Sequence, residues 1–156
     1  MAELGFSEHD HSACIKQAMR GVESRCEAER LHLTPVRRRV LEILLAKHQA
    51  LGAYEILDVL RAEGLVSQPP VAYRALDFLV THGFAHKIEK LNAFVACAHP
   101  GEEHAPAFLI CRDCNGVVEA DGAGVGLDDN ARASGFAVER TVIEFEGLCR
   151  KCQVAR

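Results

Sequence analysis

Two matched Cys-x-x-Cys pairs constrain what this chain can fold into more than any other feature: Cys111 and Cys114 in CRDC, and Cys149 and Cys152 in CRKC. A two-residue gap lets both thiolates of a pair reach one ion, and two pairs supply the four soft ligands of a closed tetrahedral zinc site, with Zn–S bonds of about 2.3 Å. Closing such a site ties a mid-chain segment to the last residues and adds folding free energy to a unit too small for a large core. Two other readings compete, a redox-active dithiol and an iron–sulfur cluster. A redox pair ordinarily stands alone at a helix start after a strand, so two matched pairs favour structural zinc. The chain has 7 cysteines in all, an odd number that argues against a disulfide framework. Its N-terminus, MAELGFSEHDHSAC, carries neither a basic start nor a hydrophobic segment of signal length, so a soluble cytoplasmic protein with no membrane partner is expected.

A chain of 156 residues is long enough for one good core or two small domains. Charge suggests two. The net charge of −4 looks wrong for a nucleic-acid binder until the chain is divided: residues 30–90 hold nine Lys/Arg against six Asp/Glu, and residues 100–156 hold six against ten. A basic reading surface on the first half and an acidic regulatory or assembly half are compatible with that asymmetry.

Apolar periodicity then supplies the elements. Ile15, Met19, Val22 and Cys26 recur at helical spacing from Ser12 to about Arg30. In LTPVRRRVLEILLAKH, Thr34 can cap, Pro35 fits the first helical position, and Val36, Val40, Leu41, Leu44 and Leu45 make one apolar face. GAYEILDVLRAEG is a third helix bounded by Gly52 and Gly64, and PPVAYRALDFLVTHG a fourth, opened by Pro69 and Pro70 and closed by Gly83. FAHKIEK and AFVAC then read as a hairpin around Leu91 and Asn92. Helices followed by a hairpin spell a winged helix-turn-helix, an order that other small helical domains also show. Beyond the HPGEEHAP hinge, AFLICRDC, GVVEA and FAVERTVIEFEG read as strands around a helical piece at LDDNARAS. The expected fold is α+β: a winged-helix domain over 1–98, with 1–11 a flexible tail, a hinge over 99–105, and a smaller α/β metal-binding domain over 106–156.

RLHLTPVRRRVLEIL, GAYEILDVLR, PPVAYRALDFLVTHGFAHKIEKLNAFVAC and AFLICRDCNGVVE together resemble the ferric uptake regulator superfamily, most closely its zinc uptake regulator branch, over about residues 14 to 152. The resemblance implies a homodimeric repressor with an N-terminal winged helix and a C-terminal dimerisation domain, binding double-stranded palindromic operator DNA when loaded with metal. It also implies a second, regulatory metal site where the domains meet, matched here by His86, Cys97, His104 and Glu119. One thiolate, two imidazoles and one carboxylate suit tetrahedral zinc, and the thiolate disfavours the harder Mn²⁺ and Fe²⁺. His86 and Cys97 precede the hinge, while His104 lies at its far end and Glu119 beyond it, so an ion there can fix the angle between the domains. Taken singly, His86 reads equally as a solvated wing residue, Cys97 as a small buried hydrophobe and Glu119 as a surface carboxylate. His99 lies near enough to His104 to take its place.

On the matching recognition helix, Arg74 can reach a guanine edge and Tyr73 a thymine methyl or a phosphate, with Tyr54 and Arg37 as backbone contacts. Arg37, Arg38 and Arg39 diverge by about 100° per residue, so at least one of them is expected to be merely solvated. The chain departs from the family pattern at Val71 and Ala72, where a threonine usually precedes Val-Tyr-Arg. His9, His11 and Cys14 could chelate a weak third ion or lie in a solvated tail. Two zinc ions per subunit, one structural and one regulatory, are therefore expected. The competing class, a zinc enzyme activating water at the mixed site, needs an open coordination position, whereas four ligands close the shell. The H-x-E and P-C-x-x-C deaminase signature is missing, and a zinc-ribbon interaction module would have no use for the PPVAYRALDFLVTHG helix.

Overall fold

The computed structural model describes residues 11–47, 49–65, 68–100, 105–122 and 127–155. Four helices come first: α1 (His11–Glu29), α2 (Pro35–Leu45), α3 (Ala53–Ala62) and α4 (Pro69–Thr81). Thr34 caps α2, accepting from the Arg37 amide, with Pro35 next to it. Both α3 and α4 end on a glycine in the left-handed region, Gly64 (φ 72) and Gly83 (φ 74). At each end the next residue turns its amide back onto the helix, Leu65 to the Leu60 carbonyl at 3.0 Å and Phe84 to that of Leu79 at 2.8 Å. A side chain with a Cβ resists that conformation, which is why the two glycines mark the boundaries so sharply.

Past Gly83 the chain forms an antiparallel hairpin, β1 (Ala85–Ile88) and β2 (Ala93–Ala96), in register from Ala85 opposite Ala96 to Ile88 opposite Ala93. Asn92 takes the positive φ of the turn at 46°. Leu51, just before α3, exchanges two backbone hydrogen bonds with Phe94 (2.9 and 2.8 Å) and widens the hairpin toward the helices. The helical core gathers Val22, Val40, Leu41, Leu44, Ile56, Leu60, Leu76, Leu79 and Phe84, all 1% exposed or less.

The C-terminal unit is a three-stranded sheet in the order β4-β3-β5, from β3 (Pro106–Cys111), β4 (Val117–Asp121) and β5 (Glu144–Gly147), with short helices α5 (Leu127–Ala133) and α6 (Arg150–Val154). β3 pairs antiparallel with β4 and parallel with β5. The two units are not separate bodies joined by a hinge alone. Side chains alternate across a strand, so the hairpin sends Ala85 and Phe94 into the helical core and Ile88 and Val95 the other way, onto Phe108, Ile110 and Val117. A second core therefore runs under the wing.

One expected strand is shorter than its pattern. FAVERTVIEFEG alternates apolar and polar residues, yet only Glu144–Gly147 forms a regular strand; the Ile143 carbonyl still accepts from the Phe108 amide at 3.0 Å, and residues 136–142 take no regular secondary structure. Alternation reports a taste for extended backbone with one apolar face; it does not supply a neighbour. Phe136, Val138, Val142 and Phe145 are left 65%, 40%, 49% and 52% exposed. No helix among the described residues is long and apolar enough to cross a membrane.

Candidate metal centres

The four cysteines are assembled by both ends of the C-terminal sheet. β3 delivers Cys111 to a tight turn in which Asn115 adopts φ 58 and the Cys111 amide bonds the Gly116 carbonyl at 2.9 Å, placing Cys114 beneath it. β5 runs alongside, its Gly147 carbonyl accepting from the Arg112 amide at 2.9 Å, and feeds Cys149 into the N-cap of α6, with Cys152 one turn on. α6 itself was not foreseen from the sequence, although a Cys-x-x-Cys pair opening a helix is a familiar way to turn two sulfurs to one side. All four Sγ atoms lie within 4.8 Å of one another, and Cys114 Sγ is 3.9 Å from Cys149 Sγ. Four sulfurs at about 2.3 Å from a tetrahedral ion are about 3.8 Å apart, so the cage fits zinc. The Cys149 amide, 3.3 Å from Cys111 Sγ, is the main cause that lowers that thiol to about 6, while hydrogen bonding to Cys149 pushes Cys152 up to about 12. Cys111 thus ionises readily, and a dication would offset what raises Cys114 and Cys152.

The mixed cluster straddles the two units. His86 stands on β1, and Cys97 follows β2, where its amide continues the hairpin by bonding the Phe84 carbonyl at 2.9 Å. Glu119 stands on β4 of the C-terminal sheet. Ligand atoms of His86, Cys97 and Glu119 lie within 4.8 Å of one another. Glu119 Oε1 is 3.5 Å from His86 Nε2 and 3.9 Å from Cys97 Sγ, while Oε2 accepts from the Ala98 amide at 2.8 Å. The His86 ring leans on Phe108 at 5.3 Å. Burial, and after it the Glu119 carboxylate, pushes the Cys97 thiol up to about 12. The Glu119 side chain is only 4% exposed, and a carboxylate so enclosed beside a thiol and an imidazole is costly unless a cation shares the site. The N, S and O donors fit zinc. His104 lies outside the described residues. His99 is exposed and gives its amide to Cys97 Sγ at 3.4 Å, but its ring is not among the three clustered ligands. His9 and the His11 side chain lie outside the described residues too, and Cys14 is exposed on α1.

On α4, Ala72, Ala75, Leu76 and Leu79 face the core, and Tyr73 and Arg74 face out, Tyr73 by 42%. Tyr54, at the start of α3, is 65% exposed. The arginine run differs from expectation, since none of the three is merely solvated. Arg37 lies over the Phe78 ring at 3.9 Å and donates to the His32 carbonyl at 2.6 Å. Arg38 pairs with Glu23 at 2.5 Å, and Arg39 with both Glu63 (2.6 Å) and Glu42 (3.1 Å). The run braces α2 against α1, α3 and α4. Apart from Glu42, three residues on along the same helix, these charged partners are distant in sequence and leave no periodic trace.

No protein-family model matches the chain. It is 40% identical over 134 residues to the zinc uptake regulation protein of Escherichia coli (strain K12), covering 83% of this chain and 78% of that one. It superposes with a TM-score of 0.83 on a zinc uptake regulator complexed with zinc and DNA, at 36% identity over 95% of this chain and 98% of the other. Against XcZur, 41% identical over 90% of this chain and 99% of that one, the TM-score is 0.81 for the holo form and 0.54 for the apo form. The winged helix, the mixed sheet and these likenesses define a regulator of the ferric uptake regulator superfamily. Within that superfamily, the chain belongs to the zinc uptake regulator family.

Proposed function

We infer that this chain is a zinc-responsive transcriptional repressor that binds operator DNA as a homodimer and controls zinc uptake genes. The observation that carries this reading is the cluster of His86, Cys97 and Glu119, two ligands from the winged-helix unit and one from the C-terminal unit, enclosed where the two meet. When bound there, zinc supplies a dication shared by side chains of both units. Each residue then has a definite task. His86 and Cys97 hold the wing, Glu119 holds β4, and the Ala98 amide keeps the carboxylate aimed into the junction. His104 would complete the set as fourth ligand. Cys111, Cys114, Cys149 and Cys152 hold a second ion that secures the C-terminal fold, which makes two per subunit. The greater likeness to the holo than to the apo form of XcZur favours a zinc-loaded arrangement of the units.

Arg74 reads a guanine edge and Tyr73 a thymine methyl or phosphate, with Tyr54 touching the backbone. The exposed apolar side chains of Phe136, Val138, Val142 and Phe145 form the surface that a second copy covers. The protein is not an enzyme; its relatives are named as regulators. The deciding experiment is metal analysis together with binding to palindromic operator DNA, titrated against buffered free Zn²⁺. Operator affinity that does not change with zinc while the four-cysteine cage stays loaded rejects zinc sensing.

A further inference from the structure

The tip of the wing is occupied by its own chain. In the turn after β1 the amides of Glu89 and Lys90 both donate to one carboxylate, that of Glu144 on β5, at 2.6 and 3.1 Å. The side chains beside them are paired across the same gap, Glu89 with Arg140 and Lys90 with Glu146 at 2.6 Å. Leu91, at the apex, packs on the second core together with Ile88, Val95 and Phe108. Glu144 lies opposite Phe108 in the sheet, so the strand that holds the tip also lies beside the one that lines the core under it. The charges around the tip, Lys87, Lys90 and Arg140 with Glu89, Glu144 and Glu146, leave no positive surplus for a phosphate backbone.

We propose that the wing turn is an interdomain latch closed by the Glu144 carboxylate, and that its tip makes no phosphate contact. The proposal rests on α4 being the DNA-reading helix. His86 lies three residues before Glu89 on the same hairpin, about 10 Å along a strand. Besides the shared core, the wing is therefore tied to the C-terminal unit by polar links at two places, the His86, Cys97, Glu119 cluster, which an ion would tighten, and the turn, which closes by itself. Two pins on one stiff hairpin leave it little freedom to rotate, so the latch preorganises the junction and lowers the zinc level at which α4 is held at its working angle. Glu144 is a positioning residue, acting through the wing.

The test uses full-length protein with both zinc sites supplied from buffered free Zn²⁺, and reads operator affinity, amide hydrogen exchange and dimer state. Glu144→Ala should expose the Glu89 and Lys90 amides to exchange and raise the free zinc for half-maximal operator binding about tenfold, the scale of losing hydrogen bonds to a charged acceptor. Four-cysteine zinc and the dimer should persist. Glu144→Gln, whose amide oxygen can still accept, should fall between the two, and it carries the test if alanine costs the variant its four-cysteine zinc. Lys90→Ala should leave the salt dependence of operator binding unchanged. Exposed amides with an unshifted zinc midpoint overturn the latch, and so does a Lys90→Ala salt slope reduced by about one, which marks a phosphate contact at the tip. A wild-type protein indifferent to zinc would instead reject the sensing function, so the two failures are distinguishable.

Discussion

The four-cysteine cage and the His86, Cys97, Glu119 cluster differ in what they join. Cys111 and Cys149 are drawn together by adjacent strands of one small sheet, and the backbone already holds them there through the Cys149 amide. His86 and Cys97 belong to the wing, while Glu119 belongs to the sheet beside it, and the link across that gap is made by side chains and the Ala98 amide. Free energy of binding in the first site is folding free energy of one unit. In the proposed second site it would bias the angle between two units that are already folded, which is the physical requirement for a sensor.

The comparison breaks most visibly at the cage. Cys111→Ser or Cys149→Ser should destabilise the C-terminal unit by more than about 4 kcal/mol, with loss of the dimer, because zinc binding there is part of its folding. Thermal unfolding and sedimentation measure it, and an unchanged melt would put both clusters in the same class. Arg74→Ala should leave both clusters loaded and cost about 1 to 3 kcal/mol in specific binding, isolating the output from the sensing. Equal losses on operator and random DNA would reduce Arg74 to a phosphate contact.

Cys97→Ser sharpens the contrast. A serine hydroxyl is a poor zinc ligand at neutral pH, so the variant should remain a folded dimer with its four-cysteine zinc and lose a zinc-dependent gain of about 1 to 3 kcal/mol in operator affinity. Reciprocity requires that operator DNA tighten zinc binding in the wild type and do so far less in the variant. The same midpoint and amplitude in both proteins would make Cys97 a buried hydrophobe. The smallest effect belongs to Gln49, whose side chain donates to the Cys114 carbonyl at 3.3 Å and whose backbone bridges to Gly116. Gln49→Ala should change zinc-dependent operator binding by less than about 1 kcal/mol, as befits one exposed hydrogen bond. A larger change would show that the cage also couples to the helical unit.

Much of this was legible in the chain because it rests on local physics. Thr34 with Pro35, Gly64, Gly83 and the Asn92 turn mark the element boundaries by backbone preference, and the apolar positions of α2 and α4 follow from the helical period. The cage was legible from spacing, since two residues between cysteines is a geometric statement in itself. The mixed site was readable only through the family resemblance: nothing local distinguishes Glu119 from Glu139 or Glu144. The short reach of β5, the contacts of Arg37 with Phe78, Arg38 with Glu23 and Arg39 with Glu63, and the hold of Glu144 on the wing turn were not readable from pattern at all.

The amino-acid sequence by itself determined the four helices, the hairpin and the chelating pairs, because turn residues, caps and ligand spacing act over a few neighbouring positions. Tertiary structure alone decided which carboxylate closes the junction, which one holds the wing, and that the second face of the hairpin shares a core with the C-terminal sheet. Those outcomes depend on side chains brought together from distant parts of the chain, where desolvation and packing select one partner among many that look alike in sequence.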